Sequence, residues 1–207
     1  MESPRTSPLV GLTPPLQLQG NLILGSGSPR RKELLAVLGI PFDIRKADTD
    51  EVAPSGLNDV QTVAYVAKEK AEALQDGLQP GDVLLTADTE VWMDGKRFGK
   101  PADLDHAKRM LQELCGRTHR VITAICATDG TTWREAHAVA EVTIDAMPVA
   151  WIDHYVETYR PLDKAGGYGA QEWVGHLVIR EIKGSFDNVK GLPLPEVVEV
   201  LRPWLKA

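Results

Sequence analysis

Three stretches of this chain carry residue types that can do chemistry, and the first is a cationic helix start. In Gly25-Ser26-Gly27-Ser28-Pro29-Arg30-Arg31-Lys32 the apolar run Leu22-Ile23-Leu24 passes through small residues into a helical pattern. Ser28 before Pro29 makes a good N-cap and first-position pair. Helix starts favour Asp or Glu because the dipole is positive there, yet this one carries Arg30, Arg31 and Lys32. A bound phosphate would resolve that conflict by accepting backbone N–H and forked guanidinium bonds. A solvated basic turn is the other reading of the same residues. The run is neither a Walker A loop nor a Gly-x-Gly-x-x-Gly dinucleotide loop.

The second stretch is an acid after a buried run. Asp88 follows Val83-Leu84-Leu85-Thr86-Ala87, which predicts a strand end, where α/β folds place their ligand crevices. A carboxylate there can hold Mg²⁺ or Mn²⁺, orient a water for attack, or simply cap the next turn. Lys70 borders the apolar face of a helical pattern, so its ammonium can either enter a cleft or snorkel to solvent. Asp50-Glu51, and Lys100 in Gly99-Lys100-Pro101, read alone as solvated loop charges. The third stretch is Pro161-Leu162-Asp163-Lys164-Ala165-Gly166-Gly167-Tyr168-Gly169-Ala170-Gln171. Its glycines allow close backbone approach to a ligand, Tyr168 offers a stacking face, and Gln171 an amide that can read a base edge. The five His have no zinc-ligand spacing.

The elements that must position these groups follow from periodicity. Strands are expected at Leu22–Leu24, Phe42–Lys46, Val83–Ala87, Val121–Ala127, Thr132–Ile144 and His176–Lys183. Helices are expected from Arg30 to Leu38, Asp59 to Leu74, Asp103 to Leu114, Pro148 to Tyr159 and Pro195 to Leu205. Asp94-Gly95 and Asp129-Gly130 mark hairpin turns. This mixture predicts an α/β fold: a single mixed-sheet domain over 21–207 with helices on both faces, open to a two-lobe arrangement around a cleft. Residues 1–20, with four prolines and no apolar h-region, read as a flexible extension rather than a signal peptide.

Length and composition agree. The 207 residues are 43% hydrophobic and 25% charged, ordinary for one globular domain and ample for a core. Twenty-nine acids against 23 bases give −6, a field that attracts neither a nucleic-acid polymer nor an anionic membrane, so any anion must be held by a local cluster. No apolar run is long enough to span a membrane. Cys115 and Cys126 read as buried thiols of a reducing compartment, which points to the cytoplasm.

Taken in order, the segments resemble the Maf family, septum-formation-inhibitor-like nucleoside triphosphate pyrophosphatases. Those carrying the resemblance are 25–35, Lys68-Glu69-Lys70-Ala71, Ala87-Asp88-Thr89, Gly99-Lys100-Pro101, Thr118–Thr123, 161–169 with Gln171, and Val189–Pro193. The resemblance implies hydrolysis of a nucleoside triphosphate between its α- and β-phosphates with a divalent cation, Mg²⁺ or Mn²⁺. It implies Asp88 as the proton acceptor that activates water, and Arg30, Thr89 and Gln171 as positions of base and sugar selection. Ser26, Arg31, Lys70 and Lys100 match polar and phosphate-binding positions, and Glu51 an acid that helps hold metal together with Asp88. The 163–169 loop looks like the branch acting on dTTP and UTP. A homodimer and a house-cleaning role linked to division arrest come with the same resemblance.

Two segments depart from the pattern. Gly25 stands where relatives commonly have Ala, and Ala170-Gln171-Glu172 where they have Ile-Gln-Gly. Glu172, if turned into the pocket, would loosen base preference. The alternatives are a 7-methyl-GTP-type pyrophosphatase, which predicts a different 161–171 loop, and a non-catalytic nucleotide-binding regulator of division, which predicts loss of Asp88 or Lys100.

Overall fold

The computed structural model describes residues 11–206. In chain order its elements are β1 (Asn21–Leu24), α1 (Pro29–Ala36), β2 (Phe42–Ile44), α2 (Asp59–Gln75), β3 (Asp82–Met93), β4 (Lys96–Phe98) and α3 (Leu104–Leu114). There follow β5 (Thr118–Thr128), β6 (Trp133–Ile144), α4 (Val149–Tyr159), α5 (Trp173–Val178), β7 (Ile179–Lys183), α6 (Phe186–Lys190) and α7 (Leu194–Leu201). The strands form one mixed sheet in the order β2-β1-β3-β5-β6-β7, with β4 also paired to β3. β2, β1 and β3 run parallel, while β3, β5, β6 and β7 are antiparallel.

Alternation along the long strands divides the core. On one face, Val83, Leu85, Ala87, Ile125 and Ala127 pack with Leu34 and Leu35 of α1 and Val197 and Leu201 of α7. Further along that face, Val91, Met93 and Val121 pack with Leu111 of α3 and Ile152 of α4. Between the two clusters lie Thr89 and Thr123, directly opposed across β3 and β5. Two lobes therefore sit on one face of a shared sheet, with a polar seam between them. The other face carries Leu84 and Ile122, covered by α2 through Val63, Ala67 and Ala71. Asn58 and Gln61 close a capping box at the start of α2, worth about 1 kcal/mol for such a cap.

Several boundaries differ from the sequence reading. β3 does not end at Ala87 but continues to Met93, so Asp88 lies in mid-strand. The polar run Asp88-Thr89-Glu90 imitates a strand end because Asp88 and Thr89 line a cleft, while Glu90 is buried against Arg97 and Trp92. Asp94 and Gly95, at φ 51° and 76°, make the expected tight turn into β4. The strand expected over His176–Lys183 begins at Ile179, since 173–178 forms α5. The short α6 went unread, and the last helix stops at Leu201 before a 3-10 turn over Arg202–Trp204. Of the expected flexible extension, residues 1–10 lie outside the described residues. In the remainder, Leu18 is buried and bridges Leu205. Among the described residues no helix is long and apolar enough to cross a membrane.

Candidate active site

The cleft exists because one edge of β3 is shared. β1 pairs with Asp82 to Leu85, and β4 pairs with Val91 to Met93 of that same edge. Between them, residues 86–90 have no partner strand on that edge among the described residues, while their other edge pairs with β5. Gly25 extends the β1 pairing by one bond, its N–H donating to the Leu85 carbonyl at 2.8 Å, and the chain then turns away into α1. A Cβ on Gly25 would lie 2.7 Å from Thr86 Cγ2, so this departure from the family pattern is matched by a buried threonine beneath it.

Into the gap come side chains from both faces of β3. Asp88 points toward α2, where Lys70 continues the buried stripe of Val63 and Ala67. Lys70 is therefore not snorkelling. It is 7% exposed, and its Nζ lies 2.7 Å from Asp88 Oδ1 and 2.9 Å from Glu51 Oε1. Lys100 Nζ reaches the other oxygen of Glu51 at 2.6 Å. Glu51 is thus no solvated loop charge: it bridges two ammonium groups from a backbone held at φ 55°. Burial pushes its carboxyl up, but bonds to Lys100 and Lys70 win and hold it down at about 2. Arg97 supports this loop from β4, donating to the Glu51 carbonyl at 3.4 Å while paired with buried Glu90. Burial and the nearby Asp88 push the Glu90 carboxyl up.

On the seam side, Arg31 is a tie between elements. Its Nε donates to the Gly191 carbonyl at 2.9 Å, Nη1 to Ser26 Oγ at 3.2 Å and Nη2 to Thr89 Oγ1 at 3.1 Å. Burial pulls its guanidinium down, countered by Asp88. Thr89 also shares a hydrogen bond with Thr123 at 2.9 Å. Helix α1 has Ser28 as its N-cap and no acid in its first turn. Arg30 leaves that turn to cross the cleft, donating to Asp163 Oδ2 at 2.6 Å. Gln171 lines the opposite wall, its amide without a protein partner among the described residues.

All of Ser26, Arg30, Arg31, Glu51, Lys70, Asp88, Thr89, Lys100 and Gln171 line one cleft of about 400 Å³. Seven Lys and Arg side chains face three carboxylates there, the local cationic cluster that an acidic protein needs to hold an anion. Lys46, Lys190 and Gly191 also line it; sequence reasoning assigned none of them a site role, although Lys190 and Gly191 lie in the Val189–Pro193 segment that carries the resemblance. The signal that could have found the last two is the cap pair of α6, with Ser185 at its start and Gly191 at φ 119° at its end.

Glu172 does not line the cleft. Its carboxylate turns back toward Tyr155, which donates to Oε2, and Lys164, whose Nζ lies 3.0 Å from Oε1. The condition under which it would loosen base preference, a carboxylate turned into the pocket, is therefore not met. Tyr168 is also held from behind, by a 2.7 Å hydrogen bond to His119 Nε2, and burial pulls that imidazole down to about 4. Cys126 is buried, its thiol pushed up to about 12 by burial, while Cys115 is half-buried.

Comparison with known proteins places this geometry. The Maf-like protein family matches residues 21–204. A dTTP/UTP pyrophosphatase of Bacteroides thetaiotaomicron is 43% identical over 183 residues, covering 87% of this chain and 94% of that one. One of Porphyromonas gingivalis is 45% identical over 176 residues, covering 84% and 88%. One of Flavobacterium johnsoniae is 39% identical over 180 residues, covering 87% and 93%.

Proposed function

The chain belongs to the Maf family, and from that premise we propose how its cleft works as a dTTP/UTP pyrophosphatase. The observation that carries the reading is the buried chain Asp88–Lys70–Glu51–Lys100 beside a cationic helix start. Pyrophosphate release requires cleavage of the α–β bridge. A water takes up Asp88 as its proton acceptor and its oxygen bonds to the α-phosphorus. The bridging oxygen then leaves on pyrophosphate, and the monophosphate stays with the base.

The cations divide the work by position. Lys100 and Lys70 present ammonium groups to phosphoryl oxygens and to charge that builds on the leaving group. Arg31 keeps Ser26, Thr89 and Gly191 in register, with its remaining N–H groups available to phosphate. Lys70 also fixes the rotamer of Asp88, so the base is aimed before substrate arrives.

The site fits a divalent cation. Asp88 and Glu51 already share a cation, the Lys70 ammonium. Among the described residues no group of three or more His, Cys, Asp or Glu forms a metal cage. The protein would thus supply two hard carboxylates, Glu51 and Asp88, and substrate phosphates the rest, the pattern Mg²⁺ and Mn²⁺ accept. When bound, such an ion neutralises phosphoryl charge and lowers the pKa of a coordinated water.

Base selection rests on Gln171, whose free amide offers both a donor and an acceptor at the wall facing Arg30. A pyrimidine edge complements that pair, and a mismatched base leaves it unpaired at about 1–3 kcal/mol. Pyrophosphate release across dTTP, UTP, ATP and GTP with Mg²⁺ tests this reading. Pyrimidine preference is expected, and Gln171→Ala should narrow it; equal cleavage of all four by the unaltered chain refutes it. A homodimer is proposed from the family resemblance, to be read from sedimentation, and a cytoplasmic setting from the free thiols of Cys115 and Cys126.

A further inference from the structure

The wall that carries Gln171 is braced from behind by a second lysine-bridged carboxylate pair. Lys164 is buried, with its Nζ 2.6 Å from Asp163 Oδ1 and 3.0 Å from Glu172 Oε1. Asp163 receives Arg30, which comes from the other lobe. Tyr155, fully buried on α4, donates to Glu172 Oε2 and accepts the Gly169 N–H at 3.0 Å. The Glu172 N–H in turn donates to the Gly169 carbonyl at 3.0 Å. The turn holding Gln171 is thereby closed by both the backbone and the side chain of Glu172. Gly169 shows how tightly: a Cβ there would lie 2.8 Å from Glu172 Cδ and 2.9 Å from Gln171 Nε2.

We propose that Glu172 is a positioning residue for base selection, locking the turn that presents Gln171 and, through Lys164 and Asp163, the guanidinium of Arg30. This rests on the reading of Gln171 and Arg30 as the base-selecting pair. The physical reason is that buried polar groups need partners. Without the Glu172 carboxylate, the Tyr155 hydroxyl loses its acceptor and the Lys164 ammonium loses one of two anions. Both then have cause to move, and the Gly169–Gln171 turn moves with them. A site that rejects a wrong base by leaving its own amide unpaired does so only while that amide is held in place. Glu172 therefore sharpens selection from outside the cleft.

The test compares kcat/KM for dTTP and for ATP in the unaltered chain, Glu172→Gln, Glu172→Gly and Tyr155→Phe, with thermal midpoints alongside. Loss of fold alone lowers both substrates together and leaves their ratio. Positioning lowers the ratio, chiefly through a higher KM for dTTP. Glu172→Gly should cut the dTTP-to-ATP ratio about tenfold, the scale of one hydrogen bond held loosely. Glu172→Gln, which keeps an acceptor for Tyr155, should retain most of the ratio, and Tyr155→Phe should fall between them. A ratio unchanged in Glu172→Gly and Tyr155→Phe overturns the proposal. If Glu172→Gly does not fold, Tyr155→Phe decides alone, since it removes one oxygen. A flat ratio in the unaltered chain sinks the base-selection reading instead, so the two failures are distinct.

Discussion

Replacing Lys70 by Met isolates what holds the charges of the cleft together. Its side chain is 8% exposed and its ammonium lies 2.7 Å from Asp88 and 2.9 Å from Glu51. Met fills a similar volume, so the loss is electrostatic rather than steric. Removing one partner of a buried pair costs about 3–5 kcal/mol, because the other stays buried and uncompensated. The two carboxylates lie within about 6 Å of each other, and at an effective dielectric of about 20 their repulsion reaches about 3 kcal/mol. Glu51 keeps Lys100 and is partly solvated, which favours the lower part of the range. Urea unfolding at pH 7.5 should report a loss of about 3–4 kcal/mol. Adding Asp88→Asn removes the stranded charge, so the double variant should be about 2 kcal/mol more stable than Lys70→Met alone. Strict additivity of the two single changes, within about 0.5 kcal/mol, would refute the coupling.

Acid unfolding reads Glu51. Its carboxyl is held from an ordinary 4.5 down to about 2, so it stabilises the fold above pH 4.5 and that contribution is lost as pH falls toward 2. Discounted for partial exposure, the difference between the unaltered chain and Glu51→Gln should shrink by about 1–2 kcal/mol across that window; a constant difference contradicts it. Asp88→Asn should lower kcat by roughly 10²-fold or more with triphosphate affinity retained, and unimpaired turnover would move the base elsewhere. Lys100→Met should raise KM for dTTP, more at low than at high ionic strength, because half-exposed phosphate partners are screened by salt. A KM indifferent to the change places Lys100 away from the phosphates.

Much of the site was legible because its residues advertise a conflict. Three cations at a positive helix end, and an acid after a buried run, draw attention to two segments that the fold brings to one cleft through Arg30, Arg31 and Asp88. What stayed hidden was partnership across distance. Lys70 and Asp88 are 18 residues apart, and Lys100 and Glu51 49 apart. Single-sequence spacing cannot tell Glu51 bridging two lysines from a solvated loop acid. The same limit left the orientation of Glu172 open, since its partners Tyr155 and Lys164 lie on elements that periodicity treats separately. The elements themselves followed well where a face repeats, as in α2 and α3. They failed where polarity serves the cleft, at Asp88 and Thr89, and where helices are short, as in α5 and α6.

The most direct test of the account is the identity of the products. Followed by phosphorus NMR, dTTP incubated with this protein and Mg²⁺ should give thymidine monophosphate and pyrophosphate in equal amounts, and the Asp88→Asn variant should leave dTTP intact over the same interval. Appearance of thymidine diphosphate with orthophosphate, or equal product from the Asp88→Asn variant, would contradict a cleft built to split the α–β bridge with Asp88 as its base.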